Sequence, residues 1–296
     1  MRAPFVNCAG ATLGLLLICA AATAHAAQPA DSTLGEEIAK QEAIYKSRGS
    51  ARPDGYVIDR SLHAYALALP EAFDRALGLL REHDRWLDIG AGRGQAILDF
   101  YKPKFDMLHF EGRDERGSKA QAVAMSIEDR RTAEWYATAA TLPPGKISYL
   151  TGRRLREYSS AELGKFQLIT DVIGGFSYTT DLSLFVERVL ALLETNGSFF
   201  TVLADVRRDA GDSKPHYEGS PFLTVIARAD GSETNVCSWL KSIGCVSVNC
   251  EARENWEPPI EAFHMQKVCD DVMVPPLTTV RYEAGTPPER GFRLAQ

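Results

Sequence analysis

The segment Trp86 to Gly94, W-L-D-I-G-A-G-R-G, constrains this chain more tightly than any other stretch. An apolar run, Trp86 to Ile89, ends at three alternating glycines and opens onto Gln95 to Tyr101, whose apolar residues recur at helical spacing. That order predicts a β-strand feeding a helix through a tight turn, the unit from which parallel sheets are built. Gly90 and Gly92 let the backbone bend sharply and let a ligand approach it without meeting a side chain. The helix start beyond them offers unpaired N–H groups with a partial positive charge, suited to a carboxylate.

The rest of the chain alternates in the same way. Short apolar runs at Met107–Phe110, Ile147–Leu150, Leu168–Val172 and Ser198–Ala204 read as further strands. Between the last two, Leu182 to Leu193 places apolar residues on one helical face. From Asp59 to His83, Leu62, Ala66, Leu69, Phe73, Leu77 and Leu80 recur at helical spacing, and Pro70 splits the run into two helices. Strands alternating with helices predict an α/β fold with a mostly parallel sheet and helices on both faces. After Asp205 the pattern changes. Arg207 to Ser220 is charged and turn-rich, an insertion or lid. A helix is expected over Glu233–Ile243, and strands over Cys245–Cys250 and within Phe263–Val274. The tail from Ala284 to Gln296 carries Gly285, Pro287 and Pro288 and is expected to be irregular.

The first 26 residues have the layout of a secretory signal peptide. Arg2 gives a positive start, Ala9 to Ala22 is apolar or small apart from Thr12, and Ala24-His25-Ala26 offers a cleavage point. The apolar core is too short to span a bilayer, so no transmembrane segment is expected after cleavage, and the protein is expected to be exported, periplasmic or secreted. Residues 27–55 form a polar N-terminal segment, leaving 56–296 for the folded domain. The net charge of −6 offers no broad basic face, and the cluster Arg153, Arg154 and Arg156 is short, so nucleic acid is not an expected partner. Beyond the signal segment stand Cys237, Cys245, Cys250 and Cys269. Export favours one or two disulfides among them, with three pairings open; free buried thiols are the alternative. No C-x-x-C pair exists and no metal site is expected.

The turn resembles the first motif of the class I S-adenosylmethionine-dependent methyltransferases, acid-x-G-x-G-x-G, with Asp88, Gly90, Gly92 and Gly94 in those places. The resemblance spans about Trp86 to Val206. It implies a Rossmann-like, seven-stranded, mostly parallel sheet whose final strand runs antiparallel, and a pocket for S-adenosyl-L-methionine lined by Asp88, Gly90, Ala91, Gly92 and Gly94. In that family an acid ending the next strand binds the ribose hydroxyls. Glu111, directly after Met107–Phe110, fits that role, and Asp114 is its rival. The turn Leu192 to Gly197 resembles the one preceding the family's fifth strand. Two departures stand out: Arg153 follows the third strand where the family has an acid for the adenine amine, and Gln167 replaces an acid at the start of the fourth. The N/D-P-P-Y/F motif of amino methylation is absent; D-V-I-G-G-F-S-Y stands in its place.

Methyl transfer is an in-line displacement that depends on holding the nucleophile near the methyl group. Asp171, at the carboxyl end of the fourth strand, is the candidate to orient or deprotonate an acceptor hydroxyl or amine, and it equally suits a cap for the turn before Gly174-Gly175. Tyr178 is the candidate acceptor contact. His216, Tyr217 and His264 are weaker candidates. The acceptor itself and the oligomeric state are not written in these motifs. Two other readings compete: a nicotinamide-dependent oxidoreductase, whose fingerprint G-x-G-x-x-G would need glycine where Gln95 stands, and an exported, non-catalytic binding or scaffold protein that kept the fold.

Overall fold

The computed structural model describes residues 60–102, 120–203, 223–253, 260–283 and 289–295, with Ala39. The signal segment, the polar segment apart from Ala39, the run Met107–Phe110 with Glu111 and Asp114, and the lid Arg207–Ser220 lie outside these residues. Within them are eleven strands: β1 (Arg85–Ile89), β2 (Gln121–Met125), β3 (Ile147–Leu150), β4 (Phe166–Asp171), β5 (Leu193–Leu203), β6 (Leu223–Ala227), β7 (Glu233–Thr234), β8 (Val246–Arg253), β9 (Ile260–Lys267), β10 (Leu277–Glu283) and β11 (Glu289–Leu294). Helices are α1 (Leu62–Ala68), α2 (Ala72–Gly78), α3 (Gln95–Tyr101), α4 (Ala133–Thr141), α5 (Ser160–Leu163), α6 (Gly175–Tyr178), α7 (Leu182–Leu192) and α8 (Val236–Lys241).

Seven strands form one sheet in the order β3-β2-β1-β4-β5-β9-β8. β1 to β5 run parallel, β9 is antiparallel to β5, and β8 is antiparallel to β9. This is the expected Rossmann-like, seven-stranded, mostly parallel sheet. Strand alternation splits its core into two layers. Leu87, Ile169 and Phe199 point to one face, where α7 and α8 supply Val186, Val189, Leu190 and Trp239. Trp86, Leu168 and Phe200 point to the other, where α1, α2 and α3 supply Tyr65, Phe73, Ile97 and Phe100. Phe199 and Phe200 are adjacent and both fully buried on opposite faces, as only a strand covered on both sides requires. Each such side chain contributes roughly 2–3 kcal/mol of burial.

The N-terminal run divides at Pro70 as expected, into α1 and α2. Elsewhere the structure corrects several boundaries. The strand beside β1 is Gln121–Met125, paired from Arg85↔Gln121 to Ile89↔Met125. It is short and two of its five residues are alanine, so it has none of the aromatic side chains that mark β1 (Trp86) and β3 (Tyr149). The expected helix from Glu233 begins at Val236, because Asn235 caps it by accepting a hydrogen bond from the Ser238 N–H (2.7 Å), and Glu233–Thr234 pair with β6 instead. The tail is not irregular throughout. Glu289–Leu294 form β11, parallel to β6 and antiparallel to β10, in a second sheet of order β10-β11-β6-β7. The turn-forming residues sit only at the start of that tail, and E-R-G-F-R-L after them buries Arg290 and Phe292 on one face. Of the three possible cysteine pairings the structure has Cys237–Cys250 and Cys245–Cys269, with Cα–Cα distances of 6.2 and 5.1 Å.

Candidate functional site

In the sheet order β3-β2-β1-β4-β5 the chain winds outward in one direction from β1 and in the other from β4, so the crevice beyond their carboxyl ends is where open α/β sheets bind ligands. The loops that meet there are Gly90–Gly94 and Val172–Gly174. Gly90, Gly92 and Gly94 all take left-handed conformations, with φ of 70°, 57° and 81°. L side chains rarely adopt that region, so the turn depends on glycine at these positions. Gly90 and Gly94 have a second reason. A Cβ on Gly90 would lie 2.7 Å from the Cα of Gly174, and one on Gly94 would lie 2.4 Å from Trp135 Cζ3 of α4. The turn is tied across the sheet by Ala91 N–H, which donates to the Met125 carbonyl (3.0 Å), and Gly94 N–H closes it onto the Ala91 carbonyl (2.8 Å). Tyr149 of β3 donates to the Gly92 carbonyl and stands edge-on to Trp135, with ring centroids 5.2 Å apart. Gly90 itself is exposed, although Asp88, Ile89 and Ala91 around it are buried. The turn therefore presents bare backbone at the crevice.

Asp88 does not line that opening. It is fully buried: its carboxylate accepts the Tyr65 hydroxyl (3.0 and 3.1 Å) and the Thr170 hydroxyl (2.7 Å), while Trp86 Nε1 donates to the Thr170 oxygen (2.8 Å). It anchors the strand end from within rather than facing a ligand. Glu111 lies outside the described residues. The loop that follows β2 and thus flanks the glycine turn is Ser126–Arg131, which carries Glu128 and Asp129. Glu128 pairs with Arg130 and Asp129 with Arg131 (2.6 Å); the latter pairing holds the Asp129 carboxyl down at about 2. Sequence reasoning missed this loop because it missed β2. Its signal was the acidic pair after A-V-A-M.

At the end of β4, Asp171 is also fully buried. One oxygen accepts the Gly174 N–H (2.7 Å) and the other the Phe176 N–H (3.0 Å), so the side chain caps the turn into α6. Burial pushes its pKa up to about 7, against the pull of those N–H groups and of Arg290. Tyr178 ends α6 and is half-buried, and its backbone carbonyl accepts the Tyr282 hydroxyl (2.7 Å). Asp171 thus caps, from the end of β4, the short helix that Tyr178 ends, and that helix is braced from the second sheet. His264 is part of the main sheet: it stacks on Phe200 at 4.3 Å and contacts Ser198 Oγ at 3.0 Å, and burial lowers its pKa. Gln167 accepts the Arg85 N–H (2.8 Å), a packing role. Arg153 pairs with Glu162 (2.8 Å) and lies over the Tyr158 ring at 3.8 Å.

No family model matches the sequence, and no curated protein matches it. Several solved structures are similar in part. One is the N-methyltransferase NodS from Bradyrhizobium japonicum WM9 in complex with S-adenosyl-L-homocysteine, 13% identical, covering 76% of this chain and 98% of that one with a TM-score of 0.42. Another is an rRNA methylase from Streptococcus thermophilus, 10% identical over 67% of this chain and 95% of that one, TM-score 0.40. A third is PKMT2 from Rickettsia typhi with AdoHcy, 19% identical over 47% of this chain, TM-score 0.34; the match spans only 25% of that longer protein. At these identities and scores the function is read from the geometry above.

Proposed function

We propose that the chain binds S-adenosyl-L-methionine at the Gly90–Gly94 turn and transfers its methyl group to an acceptor held beside the β4–α6 turn. The observation that carries this reading is the exposed, left-handed Gly90 at the switch point between β1 and β4, in a sheet of order β3-β2-β1-β4-β5-β9-β8. S-adenosylmethionine, when bound, supplies an electrophilic methyl group; the protein's task is to hold and orient. The glycine backbone suits the methionine end, and Ala91 and Gly94 set the curvature of the turn. Because β2 is the strand beside β1, the ribose role falls to Glu128, the first acid beyond its end, in preference to Glu111. Asp171 fixes the α6 turn that carries Tyr178 toward the acceptor side.

Calorimetry with S-adenosylhomocysteine tests this directly. Binding is expected for the wild type. Glu128→Gln should weaken it by roughly ten-fold, the loss of one charge-assisted hydrogen bond. Glu111→Gln should leave it unchanged. No heat with the wild type would overturn the reading. We further propose export after cleavage near Ala26. The pairing of all four cysteines beyond the signal segment into disulfides supports an oxidising compartment. N-terminal sequencing of the native protein that began at Met1 would refute it. Export gives weight to a second reading, a non-catalytic binding protein. Binding of S-adenosylhomocysteine without turnover of any offered acceptor favours that one.

A further inference from the structure

Helix α1 reaches the cofactor turn through one side chain. Tyr65 is 3% exposed, and its hydroxyl donates to both oxygens of Asp88, which is itself fully buried two residues before Gly90. The helix that carries it is fixed from the other side of the same turn: Asp99 of α3 accepts the Leu62 N–H at the start of α1 (3.1 Å) and is held by Gln95 Nε2 (2.8 Å). The Tyr65 ring leans on Phe73 (centroids 6.3 Å apart), which packs on Phe200 of the sheet (5.6 Å). So α1 and, through Thr170, β4 converge on the Asp88 carboxylate at the end of β1, while Asp99 of α3 holds the start of α1.

We propose that Tyr65 is a positioning residue for the cofactor site: by donating to Asp88 it fixes the strand end from which Gly90–Gly94 springs, and it couples the order of α1 to occupancy of the turn. Burial and the adjacent carboxylate keep the hydroxyl protonated, hence a donor, across the working pH range. Removing it leaves a buried carboxylate short of a donor. Gly90 cannot absorb a shift freely, because the Gly174 backbone abuts it. Coupling of this kind is reciprocal: if the position of α1 sets affinity, ligand must in turn stabilise α1.

This inference rests on reading the turn as the S-adenosylmethionine site, and the test separates the two. On the wild-type chain, S-adenosylhomocysteine affinity is measured by calorimetry and amide exchange is followed with and without it. Absence of binding sinks the cofactor reading. Binding with no added protection in Leu62–Ala68 sinks the role of Tyr65 alone, and that measurement needs no variant to fold. Protection of those amides is the expected result. Tyr65→Phe is then expected to weaken binding roughly ten-fold or more. The double variant Tyr65→Phe with Asp88→Asn should weaken it by clearly less than the two single effects multiplied, since both changes disturb one contact; a fully additive double variant would count against the coupling. A Tyr65→Phe protein of lowered Tm but unchanged affinity would make the residue merely structural and overturn the proposal.

Discussion

Replacing Gly90 with alanine tests the turn at its tightest point. The residue has φ of 70°, and an L side chain in the left-handed region costs about 1–2 kcal/mol. Its new Cβ would stand 2.7 Å from the Gly174 Cα, a backbone atom that cannot rotate away. Overpacking of that kind costs about 1–3 kcal/mol more. Together the loss is roughly 2–5 kcal/mol, which for a domain of this size lowers Tm by about 5–15 °C. Two controls divide the cost. Gly145→Ala meets the same conformational penalty at φ of 80° but nothing within 4 Å, so it should lose only about 1–2 kcal/mol. Gly78→Ala closes α2 with nothing within 4 Å and should gain about 0.5–1 kcal/mol. Scanning calorimetry ranks the three. Equal losses for Gly90→Ala and Gly145→Ala would refute the close approach of the β1 and β4 loops.

Other consequences are as open to measurement. The disulfides span 13 and 24 residues of sequence, and removing either by paired Cys→Ala substitution should cost about 3 kcal/mol in urea unfolding; no change on reduction would mean that the bonds do not form in the native protein. Burial lifts Asp171 from 3.8 to about 7, so between those values the folded chain keeps a proton that the unfolded chain has lost. Its contribution to stability is therefore complete below pH 4 and disappears as the pH rises through 7. Asp171→Asn should abolish that slope, whatever it does to absolute stability; an unchanged slope would assign it to another group.

The sheet was legible where side chains declared it. β3 and α3 match their expected limits, and β1, β4 and α7 differ from theirs by one or two residues, because Trp86–Ile89, Leu168–Ile169 and the apolar face of α7 carry strong, unambiguous periodicity. β2 was not legible. Q-A-V-A-M offers two alanines and no aromatic residue, and Ala122 and Ala124 are buried in one cluster with Ile97 and Phe100 of α3, so packing rather than propensity decides it. The same distinction governs the site. Glycines at 90, 92 and 94 could be read because backbone conformation demands them. Asp88 and Asp171 could be placed at strand ends but not assigned roles, because whether a carboxylate faces solvent or caps a turn depends on Tyr65, Thr170 and Arg290, which approach from 23, 82 and more than 100 residues away.

Arg290 shows what the C-terminal segment adds. β8 and β9 complete the main sheet, whereas β11 carries a fully buried guanidinium to the turn that follows β4. Its Nη1 donates to the carbonyls of Phe176 (2.7 Å) and Thr179 (3.2 Å), and its Nε donates to Thr224 Oγ1 (2.9 Å). Asp171 takes N–H groups at the start of the same turn, so its carboxyl oxygens and the Arg290 guanidinium satisfy backbone groups at opposite ends of α6. Arg290→Met would leave buried carbonyls without their donor, at a cost of roughly 2–5 kcal/mol. Arg290→Lys should fall near Met rather than near wild type, because one ammonium cannot span Thr224 and both carbonyls as the planar fork does. Urea unfolding reads both, and faster exchange of the Ser177 and Thr179 amides locates the loss. A lysine variant as stable as the wild type would show that charge alone, not the fork, holds the turn, and the β4 side of the crevice would then be set by the main sheet without help from the second.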